Sequence, residues 1–177
     1  MRIQIRPATV RDVRAIANVH VRSWQEAYQG LIPQDFLDAM DPAQRAAGWE
    51  QSVRSLPRPG RGVLVAESPE GVVGFSSFCP AQDPDCDPGR VGLILTLYLL
   101  PSALGKGIGR GLMGAVVSAL ADAGYAEAVL WVLDTNARAR SFYSKAGWSP
   151  DGSARLDSSL GVPLNEVRYR RHIGGQA

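Results

Sequence analysis

Between an almost unbroken apolar run, residues 91–100, and a stretch with Ile108, Leu112, Val116 and Ala119/Leu120 at helical spacing lies Leu104-Gly105-Lys106-Gly107-Ile108-Gly109-Arg110-Gly111. This order restricts the fold more than any other feature. The run falls short of the ~18 residues that cross a bilayer, and its composition suits a strand buried on both faces. Pro101 ends it, Gly124 ends the helix that follows, and residues 128–133 form a second buried strand. Strand, helix, strand implies a right-handed crossover between two strands of one sheet, and therefore an α/β protein.

Residues 2–6 alternate Ile3 and Ile5 with polar side chains up to Pro7, as in a short strand. Thr9 and Asp12 form a capping-box-like start to a helix whose one face carries Val13, Ile16/Ala17, His20, Trp24 and Ala27/Tyr28, with Gly30 as its stop. Residues 33–40 and 42–54 read as one broken helix or two short ones, and Pro57-Arg58-Pro59-Gly60 closes the helical third. Residues 62–67 and 72–79 flank Ser68-Pro69-Glu70-Gly71 as a hairpin. Residues 81–89 form an acidic loop broken by proline. Asp83, Asp85 and Asp87 lack the downstream Glu of a calcium loop, so the expectation is a solvated turn. A short helix over 137–146, a strand from Trp148 and a strand over 162–170 complete the chain.

A length of 177 residues suits one domain, assigned to residues 1–173, with 174–177 as a flexible tail. The net charge of +2 is too weak a field to draw in nucleic acid or a membrane surface. The first residues lack the apolar stretch of a signal peptide, which points to the cytoplasm. Cys79 and Cys86 match neither a redox pair nor a zinc half-site, and only His20 and His172 stand beside them, so no metal is expected.

The glycine segment heads a helix, where unsatisfied N–H groups and the positive end of the dipole make an anion site. GxGxxG fails, because Leu112 or Arg110 stands where the third glycine belongs, and no P-loop register fits. The segment instead resembles the acyl-CoA pyrophosphate loop of the GNAT N-acetyltransferase family, written Gln/Arg-x-x-Gly-x-Gly/Ala. Gly107 and Gly109 fill its glycine positions, and Leu104 replaces the first residue. Residues 134–148 resemble the same family's N…A…FY…GF segment through Asn136, Ala139, Phe142, Tyr143 and Gly147, with Trp148 for the last Phe. Residues 22–33 and Glu166-Val167-Arg168-Tyr169 extend the resemblance over nearly the whole chain.

The resemblance implies a mixed, mostly antiparallel sheet of about seven strands with helices on both faces. It also implies acetyl-CoA as acyl donor, with direct transfer to a primary amine of a small molecule or peptide in a ternary complex, no metal, and a homodimer. The pantetheine arm would lie along Leu97, Tyr98 and Leu99, with the Leu99 N–H facing the thioester oxygen. Leu104, Gly105, Lys106, Gly107, Ile108, Gly109 and Arg110 would hold the pyrophosphate. Asn136 would cap its helix and touch the arm, with Asp134 and Thr135 as rival caps. Tyr143 would hydrogen-bond or protonate the departing thiolate, a phenol near pKa ~10 beside a thiol near ~8.5.

The base is open: residues 91–100 hold no carboxylate, and Leu93 stands where one would be sought. Glu26, His20, Asp134 and Glu166 are the alternatives. Each has a plainer reading: Glu26 and Glu166 as solvated surface charges, Asp134 as a cap, His20 as a core histidine bonded to backbone. Trp24, Tyr28, Phe36 and residues 159–166, including Glu166, are expected to wall the acceptor. A protein of the same fold that binds acyl-CoA as a sensor and catalyses little is the competing reading.

Overall fold

The computed structural model describes residues 2–55, 58–159 and 161–174. Pro57, Leu160 in the expected acceptor wall, and 175–177 of the expected tail lie outside them. The elements are β1 (Gln4–Pro7), α1 (Val13–Ala27), α2 (Gln34–Asp38), α3 (Pro42–Arg54), β2 (Gly62–Ser68), β3 (Gly71–Pro80), β4 (Val91–Leu99), α4 (Ile108–Asp122), β5 (Glu127–Leu133), α5 (Ala137–Lys145), β6 (Ser149–Asp157) and β7 (Leu164–His172). Single 3-10 turns, Val10–Asp12 and Pro101–Ala103, precede α1 and follow β4.

Seven strands of the described residues form one sheet in the order β1-β2-β3-β4-β5-β7-β6. Among the described residues only β4 and β5 run parallel, because α4 carries the chain back between them. The β2–β3 and β6–β7 hairpins and the β5–β7 pairing supply the antiparallel remainder. Alternation along the strands puts the two helical layers on opposite faces. Val63, Val65 and Phe75 pack under Val13, Ile16 and Val19 of α1. On the other face Ala66 meets Ile108 and Leu112 of α4, while Phe78 and Ile94 meet Met113, Val116 and Leu120.

Local chemistry sets the entries to the helices. The Asp12 carboxylate accepts from both the N–H and the hydroxyl of Thr9 and is gripped by Arg6 at 2.8 Å, so a 3-10 turn precedes α1. The second helical stretch is two helices: Asp41 caps α3 by accepting from the Ala43 N–H, and Pro42 occupies the first turn. The first strand runs to Pro7 and the last from Leu164 to His172, each displaced by one or two residues from expectation. Gly174, assigned above to the tail, donates to the Ala126 carbonyl at 3.0 Å.

The central strand differs from expectation in a way that matters. Ser77 pairs with Thr96 but Phe78 pairs with Ile94, so Leu95 has no partner on β3 and forms a bulge. Pairing between β4 and β5 ends at Ile94–Leu130. Beyond the bulge β4 is therefore only partly covered, with Leu95 52% exposed, and burial on both faces holds for residues 91–94 alone.

Candidate active site

The parting of β4 from β5 opens a cleft of ≈1710 Å³ that runs through the sheet from the glycine segment to the far end of α1. Backbone register decides what faces the gap. Leu100 donates to Val73, so in the antiparallel β3–β4 ladder Tyr98 turns its peptide groups to Phe75 while those of Leu97 and Leu99 turn the other way. Their N–H groups thus lie along the unpaired edge. At the bulge, side chains complete the ladder: Ser77 N–H donates to Thr96 Oγ1 and the Ser76 hydroxyl to the Thr96 carbonyl.

At one mouth α4 begins at Gly107, whose φ of 78° is left-handed, as is the 74° of Gly105. A Cβ at either would meet nothing within 4 Å, so the requirement is conformational and the space beside the loop is open. The first intrahelical N–H to find a carbonyl is that of Gly111, bonded to Gly107. The N–H groups of Ile108, Gly109 and Arg110 precede it at the positive end of a 15-residue helix, and all three residues line the cleft. Gly109 serves packing, since a Cβ there would sit 3.2 Å from Leu99 Cδ1. Leu104 and Gly105 also line the cleft; Lys106 is exposed and does not. A cradle of open amides followed by an unpaired strand edge fits a diphosphate carrying a long amide-bearing arm.

Across the gap, Asn136 caps α5 by accepting from the Ala139 N–H at 3.0 Å, which settles the rivalry for the cap. Asp134 is no cap: Arg140 holds its carboxylate at 2.8 Å, and it lies outside the main cleft. Tyr143 projects from α5 into the cleft, packed beside Phe142 and Tyr169. Burial, reinforced by the neighbouring Tyr98 phenol, pushes the Tyr143 phenol well above its ordinary range, so it is neutral at physiological pH.

On the α1 face the cleft is walled by Trp24, Tyr28 and Tyr98, with Trp131 of β5 as floor. Phe36 packs on the Trp24 ring at 6.4 Å and does not line the cleft, since α2 turns it behind that wall. The Trp24 indole N–H makes no bond of good geometry among the described residues, although it lies near enough to oppose the rise of Tyr98. Burial pushes Tyr98 up to about 12 and Tyr28 well above its usual value. Among the described residues the His20 side chain bonds no backbone group. Its Nδ1 accepts from Trp49 Nε1 at 3.1 Å, its ring stacks behind Tyr98, and burial aided by Arg45 pushes its pKa down to about 4.

Glu26 stays exposed at the rim. Glu166 is not the solvated charge expected: its side chain is 15% exposed, it takes a 2.8 Å bond from Arg155, and burial raises its pKa against the pull of that guanidinium. Arg155, Arg168 and Trp131 escaped sequence reasoning as contributors to the site. Arg155 lies over the Trp131 ring at 4.3 Å, and buried Arg168 approaches the same ring at 5.5 Å. Arg168 also binds Asp85, Asp151 and Ser153, while Asp83 accepts from the Trp131 indole. The loop over 81–89 is therefore a fastened wall rather than a solvated turn. Its aspartates were legible as charges, but their arginine partner lies more than eighty residues away.

Comparison with known proteins agrees with this geometry. The acetyltransferase (GNAT) family profile matches residues 18–148. The chain is 32% identical over 167 residues to a Bacillus subtilis protein named uncharacterized N-acetyltransferase YuaI, covering 93% of this chain and 90% of that one. It is 30% identical to a Mycobacterium tuberculosis protein named probable N-acetyltransferase Rv2775, covering 95% and 92%. Among solved structures it shares the fold of the PaiA N-acetyltransferase of Thermoplasma acidophilum in complex with coenzyme A. The TM-score is 0.78 at 20% identity, covering 97% of this chain and 99% of that one.

Proposed function

This chain belongs to the acetyltransferase (GNAT) family, and from that membership we propose that it moves the acetyl group of acetyl-CoA directly to a primary amine held in the α1-side half of the cleft. The observation that carries this reading is the parting of β4 and β5 past Ile94–Leu130, which leaves the Leu97 and Leu99 amides facing a gap continuous with the head of α4. Bound acetyl-CoA supplies a thioester carbonyl for an amine to attack and a thiol to leave.

The chain's own groups then divide the work. The amides of Ile108, Gly109 and Arg110 and the dipole of α4 hold the diphosphate, and Leu97 and Leu99 pair with the arm as an adjacent strand would. The Leu99 N–H, turned to the gap, stabilises negative charge growing on the carbonyl oxygen. Asn136 fixes the start of α5 and thereby the reach of Tyr143. Because its phenol stays neutral, Tyr143 acts chiefly as a hydrogen-bond donor to the departing sulfur. Trp24 and Tyr28 confine the acceptor, which is a small molecule or a peptide terminus.

Thiol release from acetyl-CoA across a panel of primary amines tests this. Amine-dependent release that falls about ten-fold or more in kcat in Tyr143→Phe, with KM for acetyl-CoA nearly unchanged, is the expected result. Acetyl-CoA binding with no release by any amine would overturn transfer in favour of a sensor. Release untouched by the substitution would remove Tyr143 from the chemistry.

A further inference from the structure

An aliphatic ammonium with pKa near ~10.4 is almost wholly protonated at neutral pH, and only the neutral amine can attack. Five carboxylates border the acceptor half of the cleft: Glu26, Asp83, Asp85, Asp157 and Glu166. Four are committed or remote. Asp83 accepts from the Trp131 indole, Asp85 is forked to Arg168, Asp157 accepts from the Ser159 N–H, and Glu26 is exposed on the last turn of α1.

Glu166 differs in height, face and free valence. Continuing the β4–β5 register from Ile94–Leu130 brings Leu97 level with Leu133, and Leu133 pairs with Glu166. Glu166 therefore sits at the height of Leu97 on the unpaired β4 edge. Its β7 neighbour Val167, and Tyr169 two residues beyond Val167, pack on the α4 face beside Val132 and Leu130, so by alternation Glu166 lies on the α1 face, the side of Trp24, Tyr28 and Tyr98. Both Arg155 contacts go to Oε2, and among the described residues nothing bonds Oε1.

We propose that Glu166 is the base that takes the proton of the acceptor ammonium, and that Arg155 is the positioning residue that holds it there. The inference rests on the transfer reading above. Arg155, held over the Trp131 ring at 4.3 Å, anchors the carboxylate through Oε2 and leaves Oε1 for the acceptor. The charged and titratable groups around it are Arg155 and Asp157 on β6, Tyr28 at the end of α1 and Tyr98 on β4. The two phenols are neutral, and burial keeps the Glu166 carboxyl more basic than a surface glutamate. One ammonium proton passes to Oε1. The freed lone pair forms the C–N bond as the C–S bond breaks, sulfur leaves with the electron pair, and a second proton from nitrogen ends on sulfur. The Glu166 proton returns to water.

The test compares the best alkylamine acceptor with its trifluoromethyl analogue, which is already neutral at pH 8, in steady-state thiol release. Glu166→Gln should lower kcat/KM for the alkylamine by about a hundred-fold, within the usual range for a lost base, and for the fluorinated amine by less than about three-fold. Arg155→Met should move the acid limb of the wild-type pH profile to higher pH, because a cation that favours the carboxylate is gone. Equal losses for the two amines, or an unmoved acid limb, would overturn the assignment while leaving the transfer reading intact. A wild-type protein that binds acetyl-CoA yet releases no thiol with any amine would fail the transfer reading and this assignment with it.

Discussion

His20 stays uncharged at neutral pH because folding hides it between Trp49 and Tyr98, with its Nδ1 already accepting the Trp49 indole proton. Its folded pKa of about 4 lies below the ordinary histidine value, so the unfolded chain binds the extra proton first. Stability is therefore full above the unfolded pKa near ~6.5 and declines as the pH falls from there towards the folded value, at no more than about 1.4 kcal/mol per pH unit. Urea unfolding of wild type and His20→Gln between pH 7 and pH 4.5 should show the steeper loss in the wild type. Equal slopes would mean that another group sets the acid limb. In the sequence this residue was legible as a core-face position on a helix, but its partner Trp49 lies on another helix and no spacing rule connects them.

Arg168 is what makes an element out of the acidic loop. Its Nε meets Asp151 at 2.7 Å, Nη1 meets Asp85 at 2.7 Å and Cys86 at 3.6 Å, and Nη2 meets Asp85 and Ser153, so all five N–H directions are used. Loop, β6 and β7 are thereby tied around Trp131. Arg168→Met fills much of the same volume but leaves Asp151 with only the longer Arg170 contact at 3.2 Å and the Ser153 N–H, and should cost about 1.5–3 kcal/mol, the range of a lost hydrogen bond to a charged group. The check is a lower urea midpoint with unchanged m-value. Asp85→Asn should cost far less, because that carboxylate is 59% exposed and water replaces the guanidinium. A comparable loss in both variants would mean that the loop, not the buried arginine, is the stabilising unit.

At the scale of the molecule, β4 and β5 part in the middle of the seven-stranded sheet, and that gap is the proposed site. Amide hydrogen exchange should therefore be fast at Leu97 and Leu99 and slow at Tyr98, which faces β3. Addition of coenzyme A should slow Leu97 and Leu99 selectively, and equal protection of all three without ligand would contradict the register. Beyond the motif around Asn136 and Tyr143, which the family resemblance supplied, the strands, the helix spans and the glycine segment at the start of α4 were legible in the sequence. Each depends on local periodicity, capping or backbone freedom, which neighbouring residues settle among themselves. The burial of residues 95–99 was misjudged because an apolar run looks the same whether a strand or a ligand lies beside it. The placement of Glu166 beside Arg155, the fastening of the loop by Arg168 and the removal of Phe36 from the acceptor wall belonged to tertiary structure alone. They depend on which strands become neighbours across long sequence separations, and a charged or aromatic side chain gains its partner only when the sheet has closed around it.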